Sequence, residues 1–226
     1  MPEYDRAGVE RCYDLTAEKY AGKLLHELDG KPFDRQILDR FAKLLPKNAD
    51  VFDMGCGSGH VENYLAEKHG VTVTGLDFSG GMVSVASRFF PNMKFIKGDM
   101  LSLDIKDDSI DGIIAFYAIV HFTLADTEKA LREFARVLKP GGYALISFHI
   151  GSQPVTVDNY FDISGAKATW TFFDPDDIVE SIKKISEVSI DEVIIRYPYA
   201  GKEHPSRRCY ILWSKNRKSG EYLLNS

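Results

Sequence analysis

A chain of 226 residues, 44% apolar and 27% charged, carries enough hydrophobic material for one well-cored domain and is not built for wholesale disorder. Its formal net charge of -5 argues against nucleic acid as the main partner, because phosphate binding needs a basic surface. Cys12, Cys56 and Cys209 are too scattered for a disulfide framework or a metal-ligand set, and no apolar run suits a secretory leader or a membrane span, so the cytoplasm is the expected compartment.

The first elements are helical: 13–28, then 33–45, where Ile37, Leu38, Phe41, Leu44 and Leu45 share one face before Pro46. "DVFDMG" follows as a short buried strand. A helix over 58–69 carries Val61, Tyr64 and Leu65 and stops at Gly70. "VTVTGLD" is a second strand, rich in β-branched residues. Ser79 is placed to cap a helix reaching Phe90, and "MKFIKGD" is a third strand. The apolar run "SIDGIIAFYAIVHF" suits a central strand covered on both faces. A helix over 126–138 sets Leu131, Phe134, Ala135 and Leu138 on one stripe, "KPGG" turns it, and "YALISFHI" is the fifth strand. Such alternation of strands and helices predicts a parallel sheet clothed on both sides. From Gly151 to Phe173 the pattern breaks into an aromatic stretch. A helix from Pro175 to Lys184 and two strand-like runs, "EVIIRYPY" and "RRCYILWS", close the chain; the end is locally basic, with Arg207, Arg208, Lys215, Arg217 and Lys218.

The loop after the first strand reads D-x-G-x-G-x-G, from Asp53 through Gly55, Gly57 and Gly59. At the carboxyl edge of such a sheet, glycines let backbone approach a ligand closely. A dinucleotide loop needs its third glycine one position later, where His60 stands, and an acid ending the first strand suits an ammonium better than a pyrophosphate.

The segment "VFDMGCGSGHVENYLAEKHGVTVTGLDFS" resembles the first two cofactor motifs of class I S-adenosylmethionine-dependent methyltransferases. "KGDMLSL", "DGIIAFYAIVHF" and "LREFARVLKPGGYALIS" resemble the motifs that follow in that family, in the same order. The resemblance covers about 49–148, and "YDLTAEKYA" is similar to the helix closing over the cofactor in small-molecule members. It implies a Rossmann-like α/β class I methyltransferase fold, with a seven-stranded, mostly parallel sheet of order 3-2-1-4-5-7-6 and helices on both faces. One domain over 1–226 would then comprise a helical cap (1–48), a cofactor core (49–150), an acceptor lid (151–175) and a C-terminal helix with an antiparallel strand pair (176–226).

It implies S-adenosylmethionine as cofactor and S-adenosylhomocysteine as product. Gly55 and Gly57 would hold the methionine end within a loop that also includes Cys56 and Gly59, oriented by Asp53. Asp77 would take the ribose hydroxyls, Phe78 and Met100 would sandwich the adenine, and Asp99 would take its amine. Tyr117 would line the methyl side, with Tyr13 and Tyr20 covering the methionine moiety.

Methyl transfer depends chiefly on in-line placement, so a catalytic base is optional. His121 is the foremost base candidate, alternatively a turn-capping residue; Tyr117 stands beside it, His149 has a packing or hydrogen-bonding reading, and His60 falls nearer the methionine end. For the acceptor, Tyr160 and Trp170 in the lid suit an apolar or planar pocket, or else pack a hairpin onto the sheet. Arg207 or Arg208 suits a carboxylate or phosphate, or else surface ion pairs. The expected partner is a small-molecule methyl acceptor rather than nucleic acid or membrane, with the chain a monomer or homodimer and no metal. An NAD-dependent oxidoreductase and a non-catalytic S-adenosylmethionine-binding regulator are the competing readings.

Overall fold

The structure, a computed structural model, describes residues 4–217; Lys218 of the basic end lies outside them. Helix α1 spans Arg6–Leu24, earlier than its apolar spacing indicates, because the Asp5 side chain accepts from Gly8 N and caps it. A 3-10 turn, Glu27–Gly30, leads into α2, Pro32–Leu44. Then β1 (Asp50–Met54), α3 (His60–His69), β2 (Thr72–Asp77), α4 (Gly80–Phe89) and β3 (Lys94–Lys97) follow. Ser79 caps α4 as expected, its Oγ accepting from Met82 N at 3.1 Å.

Strand β4 is shorter than its apolar run. It covers Ile110–Phe116 and ends where Tyr117 turns to φ 54°, leaving residues 118–122 outside the strand. Helix α5 (Leu124–Val137) opens with a reciprocal capping box between Thr123 and Asp126. Strand β5 (Leu138–Ile150) begins one residue before "KPGG" and runs through it in place of the expected turn, with an irregular register against β4 that absorbs the glycines. The aromatic stretch holds a small hairpin, β6 (Val155–Val157) and β7 (Ala168–Trp170), before α6 (Pro175–Lys183), β8 (Val188–Arg196) and β9 (Arg207–Lys215).

The seven-stranded sheet has the order β3-β2-β1-β4-β5-β9-β8. β1 to β5 pair in parallel, and β9 inserts antiparallel between β5 and β8. Allowing for the extra hairpin, this is the expected topology. Alternation along the strands supplies two cores. Ile113, Ala144, Ile146, Ile211 and Trp213 face α5 and α6, while Val51, Ile114, Leu145, Tyr210 and Leu212 face α2 and α3. Helix α1 packs through Ala17 and Ala21 on Met82 and Val85 of α4, which brings it across the carboxyl edge of β1 and β2.

Candidate functional site

Two cavities flank that edge. The first, enclosing about 710 Å³ of empty space, is lined by Gly55 and Gly57 from the β1 loop, Asp77 and Phe78 after β2, Asp99 and Met100 after β3, Tyr117 and His121 after β4, and Tyr13 and Tyr20 of α1. Ten residues from five separate stretches of sequence therefore share one cleft.

Its floor is the glycine loop, where Gly55, Gly57 and Gly59 have φ of 81°, 54° and 83°. In this left-handed region glycine is favoured, and at Gly57 an added Cβ would also meet the Tyr20 ring at 3.3 Å. The Asp77 carboxylate gathers the loop: Oδ2 accepts from Gly57 N at 2.9 Å and Oδ1 from Ser79 N at 2.8 Å. Burial pushes Asp77 up to about 6 even though those N–H groups favour its charged form. Asp99 accepts from Leu101 N at 2.8 Å and pairs with Arg6 at 3.0 Å, while the Arg6 guanidinium lies 4.8 Å over the Phe78 ring.

Asp53, Cys56 and Gly59 belong to the loop without lining the cleft. The Cys56 thiol is buried and pushed well above its ordinary value by burial and neighbouring carboxylates, so it is no thiolate. Asp53 is buried behind the loop with Oδ1 lacking a hydrogen-bond partner. Its neighbour is Glu62 of α3, also fully buried with neither oxygen partnered. Burial, with the charge of Asp77, raises Asp53 to about 8, and burial, with the charge of Asp53, raises Glu62, so the pair keeps a proton at neutral pH. Sequence reasoning passed over Glu62. The signal was an acid three residues before Leu65 on the inward face of α3; Gly75 makes room, since a Cβ there would sit 2.5 Å from Glu62 Oε1.

Tyr117 holds its strained backbone by donating its N–H to Ser147 O at 3.1 Å and Oγ at 3.0 Å. Its hydroxyl lies 2.7 Å from that of Tyr210, which donates to Asp34 Oδ1 at 2.6 Å and accepts from Arg196 Nε at 2.9 Å. An ionised Asp34 only accepts, so Tyr210 must donate to it, and Tyr117 must therefore donate to Tyr210. Anything that hydrogen-bonds to Tyr117 Oη must itself be a donor. Tyr210, Asp34 and Arg196 went unread in the sequence, although Asp34 sits on the same buried stripe of α2 as Ile37, Leu38 and Phe41.

His121 does not present a free lone pair. Its Nδ1 donates to Thr169 O at 2.7 Å, which fixes the tautomer, and Nε2 accepts from the Tyr13 hydroxyl at 2.8 Å. Burial pushes it down to about 4, so it is neutral, and the ring ties α1 and β7 to the cleft. His60 pairs with Glu27 at 3.0 Å and does not line the cleft; burial opposes ionisation of Glu27, but His60 and Lys31 outweigh it and hold Glu27 down to about 2.

A second, larger cavity, about 1270 Å³, is bounded by His149, Tyr160, Trp170 and Arg208 together with residues of the 3-10 turn. Of the two arginines expected to face an acceptor, only buried Arg208 lines it; Arg207 is exposed elsewhere. One layer of rings separates the cavities, Tyr13 against Tyr160 at 6.4 Å and Tyr117 against His149 at 5.1 Å. Among the described residues no group of three His, Cys, Asp or Glu side chains is placed to hold a metal ion, and no helix is long and apolar enough to cross a membrane.

Residues 51–142 match a family model described as a methyltransferase domain. The chain is 35% identical over 108 residues to a ubiquinone/menaquinone biosynthesis C-methyltransferase of Campylobacter jejuni, covering 45% of each chain. To a demethylmenaquinone methyltransferase of Chlorobaculum tepidum it is 33% identical over 139 residues, covering 62% of this chain and 49% of that one. The chain thus aligns with about half the length of these curated relatives. An S-adenosylmethionine-dependent methyltransferase from Methanosarcina mazei superposes with a TM-score of 0.68 at 18% identity, covering 78% of this chain and 96% of that one, a likeness of fold.

Proposed function

The chain belongs to the class I S-adenosylmethionine-dependent methyltransferases, and on that premise we propose that it transfers a methyl group from S-adenosylmethionine to a small-molecule acceptor. The observation that carries the proposal is the convergence of Gly55, Gly57, Asp77, Phe78, Asp99, Met100 and Tyr117 on one cleft at the carboxyl edge of the sheet. The residues fit the cofactor's groups. A cradle of left-handed glycines admits backbone contact, the Asp77 carboxylate lies on the cleft wall, and Asp53, with one carboxyl oxygen unpartnered, lies behind the loop.

When bound, S-adenosylmethionine supplies an electrophilic sulfonium methyl. Gly55 and Gly57 would hold its methionine portion, Asp77 the ribose hydroxyls, Phe78 and Met100 the adenine faces and Asp99 the exocyclic amine. Tyr13 and Tyr20 on α1 exclude water from above, which strengthens every polar contact below them. Tyr117, locked by Ser147 and Tyr210, orients an O–H or N–H of the acceptor by accepting from it.

A thermal-shift titration tests the cofactor: stabilisation by S-adenosylhomocysteine supports the proposal, and stabilisation by NAD alone overturns it. Catalysis is tested by screening small acceptors for sustained release of S-adenosylhomocysteine, which a purely regulatory binder would not produce.

A further inference from the structure

The second cavity differs in chemistry from the cleft beside it. Four cations border it, Lys23, Lys31, Lys202 and Arg208, against two carboxylates, Glu27 and Glu203. Both carboxylates are already paired, in part with Lys31 and Arg208 of the cavity border and in part with Arg196 and His60 outside it. Glu203 takes two hydrogen bonds from Arg196, at 2.7 and 2.8 Å, besides lying 3.3 Å from Arg208 Nε; Glu27 is shared between Lys31 at 2.6 Å and His60 at 3.0 Å. Lys23 and Lys202, by contrast, pair with no carboxylate among the described residues. A chain that is negative overall thus turns a locally positive face to this space.

The remaining walls are flat and apolar. Tyr160 and Trp170 sit with ring centroids 4.7 Å apart, and Phe172 lies 5.9 Å from the His149 ring. His149 is kept neutral, pushed down to about 3 by burial and by the charges of Arg208 and His204, with Nδ1 held by Ser206 Oγ at 2.8 Å. Rings alone would equally suit a cation, through their negative faces. The surplus of ammonium and guanidinium groups decides against that, since a like charge brought into a partly desolvated space is repelled. An anion with an aromatic body satisfies both walls at once.

We propose that this cavity binds a planar aromatic carboxylate, and that the methyl acceptor belongs to that class. The second half rests on the methyltransferase reading, through the single ring layer of Tyr13, Tyr117, Tyr160 and His149 between the two cavities; the first half does not. Lys23 and Lys202 attract the carboxylate from the rim, while Tyr160 and Trp170 take the ring.

The test is calorimetric titration of the full chain, with and without saturating S-adenosylhomocysteine, by 2-naphthoate, its neutral amide 2-naphthamide and the cation 2-naphthylmethylammonium. The expected result is 2-naphthoate binding about tenfold or more tighter than the amide, with no measurable binding of the cation. Lys23→Gln and Lys202→Gln, both at exposed positions, should each reduce naphthoate affinity severalfold and leave the amide unchanged; Trp170→Ala should weaken acid and amide alike. Equal affinity of acid and amide, preference for the cation, or binding of none of the three overturns the proposal. Naphthoate preference without any S-adenosylhomocysteine binding would instead remove the methyltransferase reading and leave the cavity's ligand class intact.

Discussion

The two cavities on the sheet edge are built by opposite means. The cofactor cleft is made of short motifs that each end a strand, so its chemistry is local: glycines for close approach, then Asp77 and Asp99 at successive strand ends. The second cavity draws Lys23 from α1, Lys31 from the junction before α2, Trp170 from β7 and Arg208 from β9. The first is acid-walled and the second has more cations than carboxylates on its border, so a positively charged donor and a negatively charged acceptor would be held apart by one layer of rings. The difference teaches that a fold can hold its cofactor side with motif-sized pieces while its acceptor side depends on tertiary assembly.

The largest expected effect strikes the acidic side. Asp77→Ala should weaken S-adenosylhomocysteine binding about 100-fold or more, since two hydrogen bonds to a charged group are worth about 1.5–3 kcal/mol each. The substitution also frees Gly57 N and Ser79 N, so the loop itself loosens. Naphthoate binding should be spared. Calorimetry showing unchanged cofactor affinity would remove Asp77 from the ribose site.

A second effect comes from the carboxyl pair behind the loop. Asp53 titrates at about 8 in the folded chain, against about 4 for an ordinary carboxylate, so the folded state keeps a proton that the unfolded chain has released. The stability this proton supplies is complete below the unfolded value and is lost as pH rises through 8. Asp77, raised to about 6, adds a loss in the same direction at lower pH. Between pH 6 and 8 the unliganded protein should lose about 2–3 kcal/mol, or several degrees in melting temperature. Glu62→Gln, whose amide can donate to Asp53, should flatten the profile. A flat profile in the unsubstituted chain would show that the pair carries no proton.

The same division explains what could be read from the residues alone. The strand order, the Ser79 cap and the gathering of the strand-end motifs into one cleft were legible because each depends on residues close in sequence or on a recurrent strand-loop-helix unit. The end of β4 was not: "GIIAFYAIVHF" is apolar throughout, and only the packing of Tyr117 onto Ser147 and Tyr210 breaks the strand after Phe116. His121 looked like a free base because its partners, Tyr13 and Thr169, lie 108 and 48 residues away. Asp34 and Arg196 escaped notice because a buried ion pair leaves no periodic trace beyond a charge at an apolar position.

Tyr210→Phe gives an intermediate effect on the border between the two regions. It removes the hydroxyl linking Tyr117 to Asp34 while keeping the ring that packs against Phe33 and Phe116. Unfolding free energy should fall by about 1–3 kcal/mol, the cost of leaving buried polar partners unpaired. Cofactor affinity should stay within about twofold, because no contact of the glycine loop passes through Tyr210. Denaturant titration with no loss of stability would mean that the network is not closed in solution.

The smallest effect discriminates between neighbours on one strand. Arg207 and Arg208 begin β9, and successive residues of a strand point to opposite faces, so the sequence presented them as equals where the fold does not. Arg208 is buried against Glu203 and borders the basic cavity, whereas Arg207 is exposed and does not line it. Arg207→Ala should therefore change stability by no more than about 0.5 kcal/mol and leave 2-naphthoate affinity unaltered. If Arg207→Ala instead weakens naphthoate as Lys202→Gln does, the attraction comes from the diffuse positive charge of this end of the chain. Only a loss confined to side chains bordering the cavity would place the carboxylate inside it.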